Sequence, residues 1–186
     1  MAGRHRGRRL VVPAGLDVRP TSNRAREALF NILEHGLPPL RGCRFLDVFA
    51  GTGAVALEAL SRGAARAVLI ETARLAQAAI RANIESVRET ARAGLHAVDA
   101  TRLGLSKDEF DIVFLDPPYR SGLLEPALRR LLDGGWLAPG ARVVAEVAAD
   151  QRPDLPPGLT LEDERRYGAA RLIFLRYNPG VAPLQR

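Results

Sequence analysis

Phe45-Leu46-Asp47-Val48-Phe49-Ala50-Gly51-Thr52-Gly53-Ala54-Val55-Ala56-Leu57-Glu58 is the stretch that decides the fold. It opens as an apolar run of strand length with one carboxylate inside it and closes as a run of helix formers, with only a glycine turn between. A buried strand that passes through so short a turn into a helix is the opening unit of a parallel α/β sheet. The two glycines supply the backbone freedom for the turn, and they leave room for a ligand where a side chain would clash. The helix is expected over 54–62, ended by Gly63.

The same alternation continues toward the carboxyl end. Apolar strands are expected at 67–70, 95–98, 112–115 and 142–147, with helices at 73–92 and 123–132 and a turn at Gly134-Gly135. Continuous apolar strands separated by helices indicate a parallel sheet covered on both faces. The ending breaks the rule. Segments 159–166 and 170–177 meet at Tyr167-Gly168 with no room for a helix, so they are expected to form an antiparallel hairpin at a sheet edge. Gln151 to Gly158, with three prolines, is a loop. Toward the amino end, 23–35 has an apolar stripe of Ala28, Leu29, Ile32 and Leu33 at helical spacing, with Ser22 or Asn23 to cap it. Residues 1–20 form a basic arm. The sum is an α/β, Rossmann-like fold with a mostly parallel seven-stranded sheet, and one domain spanning 1–186.

The chain has 186 residues with a formal net charge of +6, which points to a polyanionic partner. Lys107 is the only lysine, so 26 of the 27 basic side chains are arginine. Codon bias explains arginine over lysine but not the surplus over acids. Cys43 is the only cysteine, which excludes an internal disulfide or thiolate metal site. His5, His35 and His96 have no metal-ligand spacing and are expected to be surface or packing residues. No apolar run approaches the length needed to span a membrane, so a cytoplasmic protein is expected.

In open α/β sheets the ligand sits beyond the carboxyl ends of the strands, so the residues that follow each strand are the candidates for chemistry. Asp47, Phe49, Ala50, Gly51, Thr52 and Gly53 follow the first. Glu71-Thr72 follows the second, where a carboxylate accepts from ribose hydroxyls. Asp99-Ala100 follows the third, where an aspartate either accepts from an adenine amino group or caps the next turn. Gly51-x-Gly53-x-x-Ala56 also satisfies the dinucleotide fingerprint, so these residues alone do not separate a nicotinamide-dependent oxidoreductase from a methyltransferase.

Asp116-Pro117-Pro118-Tyr119, after the fourth strand, separates them. Consecutive prolines fix φ and remove two backbone donors, leaving a rigid turn that presents Asp116 and nearby carbonyls as acceptors. An exocyclic amine has two N–H bonds to place against such acceptors. When both are held, the nitrogen lone pair leaves conjugation with the ring and can face the sulfonium methyl of S-adenosyl-L-methionine. Tyr119 offers a stacking surface for an extruded base. An oxidoreductase has no use for this turn.

With these residues in view, the chain resembles the class I methyltransferases that act on amino nitrogens, and specifically the bacterial 16S ribosomal RNA guanine-N2 methyltransferase family. The resemblance spans nearly the whole chain. It rests on Gly7-Arg8-Arg9-Leu10, Arg19-Pro20-Thr21, Arg24, Arg26-Glu27, Leu29-Phe30-Asn31, Phe49 to Gly53, Leu57 to Gly63, Asp116 to Tyr119 and Tyr167-Gly168. It implies cofactor contact from 47–53, ribose binding by Glu71, adenine-side contact near Asp99, and target-amine binding by Asp116 and Tyr119. It also implies a role in holding cofactor or RNA for Arg19, Thr21 and Arg24. Arg4, Arg6, Arg8 and Arg9 are expected to contact phosphates. The partner implied is 16S ribosomal RNA or the small ribosomal subunit, acted on by a monomer without a metal. The family usually carries a few more residues before Gly7, so the amino-terminal hairpin is expected to be shortened here. Adenine N6 in DNA or RNA and a protein glutamine are the alternative amine substrates. A non-catalytic RNA-binding protein on the same scaffold is a further alternative.

Overall fold

The computed structural model describes residues 1–13 and 23–180. Helix α1 spans Asn23–Glu34. Then follow β1 (Arg44–Val48), α2 (Ala54–Ser61), β2 (Arg66–Ile70), α3 (Arg74–Ser86), β3 (Ala93–His96) and β4 (Phe110–Leu115). Helix α4 (Leu124–Asp133), β5 (Leu137–Ala148), β6 (Leu159–Tyr167) and β7 (Ala170–Tyr177) complete the order. The seven strands lie in one sheet in the order β3-β2-β1-β4-β5-β7-β6. Strands β1 to β5 are parallel, and β7 runs antiparallel to both β5 and β6, as the sequence predicts for the terminal hairpin.

Alternation along β1 builds two cores. Phe45 packs with Leu29, Phe30 and Leu33 of α1 and with the apolar faces of α2 and α3. Leu46 and Val48 point the other way, against Leu124, Leu128 and Leu131 of α4. Burying one such side chain contributes roughly 1.5–3 kcal/mol, so both layers hold the sheet between them. The order reverses at β1 and β4, which makes their carboxyl ends the switch point where a crevice opens. Register then fixes what lines it. Val48 pairs with Ile70 on one side and Leu115 on the other, so Phe49, Glu71 and Asp116 leave the sheet at one level.

Most boundaries agree within two residues, and three departures have a physical cause in the structure. The third strand is Ala93–His96, not 95–98: the Val98 amide turns back to the His96 carbonyl at 3.0 Å, and Val98 lies exposed. Gly94 gives that short edge strand little apolar signal. The third helix stops at Ser86 rather than running to 92. Arg88 takes a left-handed φ of 60°, its amide bonds to Glu85 O, and Glu89 N bonds to Ile84 O, the Schellman ending normally reserved for glycine. The fifth strand begins at Leu137, which pairs with Phe110, and residues 138–141 then bulge out before pairing resumes at Arg142 with Ile112. The expected cap Ser22 lies outside the described residues.

Candidate active site

The glycine turn is held on three sides. Phe49 takes a left-handed φ of 64°, rare for a residue with a Cβ, and the Ala50 amide bonds to Ile70 O at 3.0 Å. Gly53 has φ 78°, and a Cβ there would meet Leu69 Cδ2 at 2.8 Å, so this glycine lets α2 pack on β2. Asp47 faces α2 and accepts from the Ala56 amide at 2.9 Å, pinning the first turn of the helix.

Glu71 joins two loops. Its Oε2 accepts from Gly51 N at 2.9 Å, and its Oε1 accepts from Thr72 N and Ala73 N at 2.8 Å each. One carboxylate thus fixes the glycine turn and the start of α3. A carboxylate has about four lone-pair sites, so one is left for a ligand hydroxyl.

Across the crevice, the Asp116 amide bonds to Val48 O at 3.3 Å, which seats the Asp-Pro-Pro-Tyr turn on β1. Tyr119 donates its hydroxyl to Glu146 Oε1 at 2.9 Å. Glu146 is buried on β5 between apolar neighbours.

These features enclose a cavity of about 990 Å³. Of the cofactor residues expected from the sequence, Asp47, Phe49, Ala50, Gly51, Thr52, Glu71 and Thr72 line it. All four residues of the Asp116–Tyr119 turn line it as well. Gly53 supports the wall from behind. Asp99 and Ala100 do not line the cavity. Asp99 accepts from Thr101 N and Thr101 Oγ1 at 2.8 Å each, which caps the single turn Ala100–Arg102, and Ala100 is buried. That capping holds the Asp99 carboxyl below its ordinary range.

The basic arm is divided. Arg8 and Arg9 line the cavity with Leu10 and Val12, whereas Arg4 and Arg6 are exposed away from it. The arm is clamped rather than free. Ala2 N donates to the Glu58 carboxylate at 3.0 Å, His5 N to Ser61 Oγ at 2.8 Å, and the His5 ring meets Glu89 at 2.6 Å. Arg19 and Thr21 lie outside the described residues, as does the side chain of Arg24 on α1.

Sequence reasoning missed two residues. Glu146 carried a signal, since an acid interrupts the apolar run Val143 to Val147. Asn83 carried none: it is fully buried, exchanges hydrogen bonds with the Val11 backbone at 2.7 and 3.1 Å, and donates to Thr52 O at 3.0 Å.

Although the chain is basic, this cavity is lined by the carboxylates of Asp47, Glu71, Asp116 and Glu146, with Arg8, Arg9 and Arg26 also lining it. Burial pushes the Asp47 carboxyl well above its ordinary range; the Ala56 hydrogen bond opposes this, and the charges of Asp116 and Glu71 reinforce it. Among the described residues there is no group of metal-ligating side chains.

A mostly parallel sheet with this order, a glycine turn after β1, an acid after β2 and an Asp-Pro-Pro-Tyr turn after β4 defines a class I methyltransferase. The chain belongs to the family described as Conserved hypothetical protein 95, whose model matches residues 1–176. It is 38% identical over 169 residues to the Ribosomal RNA small subunit methyltransferase D of Escherichia coli strain K12, covering 90% of this chain and 84% of that protein. The protein of the same name from Haemophilus influenzae is 32% identical over 172 residues, covering 90% and 88%. The solved structure of Escherichia coli yhhF matches with a TM-score of 0.84 at 38% identity, covering 96% of each chain.

Proposed function

We propose that this methyltransferase transfers a methyl group from S-adenosyl-L-methionine to the exocyclic N2 of a guanine in small-subunit ribosomal RNA. The observation that carries the reading is the placement of Asp116 and Tyr119 on the same cavity as the Glu71-braced glycine turn. The substrate follows the name carried by the relatives, and the +6 charge suits an RNA partner.

The donor set suits this cofactor. Bound S-adenosyl-L-methionine supplies an already activated methyl on a sulfonium cation. The carboxylates of Glu71, Asp116 and Glu146 on the lining suit a sulfonium cation. Glu71 would hold the ribose hydroxyls, and the glycine turn would lie against the cofactor where side chains could not. Asp116 and the turn carbonyls would accept the two N–H bonds of the amine, aiming its lone pair. Transfer would form the N–C bond as the donor's C–S bond breaks, with one N–H proton passing to solvent. Asp116 positions the amine and need not act as a base. Catalysis on this scheme comes from alignment and fixed charge. Arg8 and Arg9 would meet the phosphates that arrive with the base.

The test is transfer of labelled methyl from S-adenosyl-L-methionine to unmodified small subunits and to naked 16S RNA, followed by nucleoside analysis. Label in N2-methylguanosine that is lost in Asp116→Ala is the expected result. Label in another nucleoside, or none in either RNA, overturns the assignment.

A further inference from the structure

A second cavity, of about 440 Å³, opens along the same carboxyl edge of the sheet. Tyr119 lines both cavities. The remaining walls come from the end of β5 (Ala148, Ala149, Asp150), from Ala169 in the β6–β7 turn, and from Arg120. Nothing in the proposed transfer step uses it.

Its surroundings are fixed by the chain's own bonds. The Ala149 amide bonds to Ala169 O at 2.9 Å, and Arg166 donates to Ala149 O at 2.8 Å. Arg171, almost fully buried on β7, donates to Gln151 O just beyond. Arg120 sits in a left-handed conformation, φ 58°, directly after the Asp-Pro-Pro-Tyr turn, and Ser121 N closes that turn on Pro118 O at 3.2 Å. Three alanines and one aromatic ring supply the uncharged part of the wall. At the mouth, Arg120 pairs with Asp150 at 2.5 Å, but the two side chains are 71% and 68% exposed. An ion pair so exposed contributes little, so Arg120 can exchange Asp150 for a phosphate at small cost.

A base taken out of its helix for chemistry stays joined to its neighbours in the strand, so the enzyme meets the flanking nucleotides as well as the target. The neighbour must lie within one nucleotide of the base held at Tyr119. Resting on the function proposed above, we propose that this second cavity receives the nucleotide adjacent to the target guanine. Its base packs on Ala148, Ala149, Ala169 and the Tyr119 ring, and its phosphate is taken by Arg120. Three features select a nucleotide over a peptide: the shared Tyr119 wall, a volume within the range of small-ligand pockets, and an exchangeable arginine beside a lining that mixes alanine methyls with polar groups. The Tyr167-Gly168 pair gains a reason too. It shapes the turn that offers Ala169, with Gly168 at φ 63°.

Two variants of the full chain test this. Arg120→Gln removes the charge and keeps an unbranched side chain at the left-handed position; Ala149→Phe fills the hollow. Binding of unmodified small subunits and naked 16S RNA is measured by filter retention, S-adenosyl-L-methionine binding by calorimetry, and methyl transfer by steady-state rates. Each variant is expected to weaken RNA binding and raise KM for RNA roughly ten-fold, with cofactor affinity and melting temperature unchanged. RNA affinity unchanged in both folded variants overturns the proposal. Wild-type chain that binds RNA but methylates none of it sinks the assigned function, and the binding data still decide the subsite. Wild-type chain that binds neither RNA overturns both.

Discussion

Asn83 Nδ2 lies 3.0 Å from the carbonyl oxygen of Thr52, so a side chain in the last turn of α3 holds the glycine turn directly. The same amide group brackets the Val11 backbone, which makes Asn83 the tie between the arm and the glycine turn. Asn83→Ala would leave an amide and two carbonyls without this partner. We expect a loss of roughly 2–4 kcal/mol in urea unfolding, and weaker cofactor binding through a loosened turn. A midpoint unchanged within error would show that neither segment depends on Asn83.

Asp116 and Glu71 should separate in their effects. If Asp116 aligns the amine, Asp116→Ala lowers kcat about 10²- to 10³-fold, the scale of losing one fixed group that acts in the transition state. Calorimetry on the same variant should give cofactor affinity close to wild type. Equal loss in both measurements would move Asp116 from alignment to cofactor binding.

Glu71→Gln should show the reverse. The carboxylate accepts three amide protons, and a glutamine must turn an NH₂ toward at least one of them. Charge-assisted bonds of this kind are worth about 1.5–3 kcal/mol, so cofactor affinity should fall roughly ten- to hundred-fold. At saturating cofactor, kcat should largely recover. A variant with normal affinity would mean that the ribose is held elsewhere.

Cys43 should be inert in the native protein. It is 4% exposed, and burial, reinforced by the charge of Asp111, pushes its thiol up to about 12 despite an opposing backbone hydrogen bond. Alkylation at neutral pH should therefore follow global unfolding, because only the thiolate reacts. Fast labelling of folded protein would require a local opening of the segment between Leu40 and β1.

The central strands and the turn after β1 were legible because a strand buried on both faces leaves an apolar run, and a left-handed turn packed against its neighbours favours glycine. Phe45 to Gly53 carries both signals in nine residues. Other features leave no such trace. Arg88 ends α3 in a conformation that its identity does not announce, and residues 138–141 bulge from β5 through tertiary pairing alone. Asp99 fits two uses equally in the sequence, and in the structure its Oδ1 caps the turn at Thr101. Asn83 is invisible for a further reason: its partners are backbone groups 72 and 31 residues away, which no local pattern encodes.

Asp47 offers a test of the buried electrostatics by pH. Its carboxyl is 2% exposed and is held well above the ordinary aspartate value near 3.8, chiefly by burial. A carboxyl raised in the folded state keeps its proton where the unfolded chain has lost it. Its contribution to stability is therefore complete below the unfolded value and falls as pH rises toward the folded one, by about 1.4 kcal/mol per pH unit. Asp47→Asn keeps an oxygen to accept from Ala56 N and removes the titration. The lowered carboxyls of Asp99 and Glu89 push stability the opposite way, but both variants share them and their effects cancel in the difference. Urea unfolding of wild type and Asp47→Asn from pH 4 to 8 should thus diverge steadily in favour of the asparagine, then run parallel once Asp47 ionises in the native state. Parallel curves from pH 4 upward would mean that Asp47 is charged in the fold, and its buried place beside Ala56 would then need a cation to balance it.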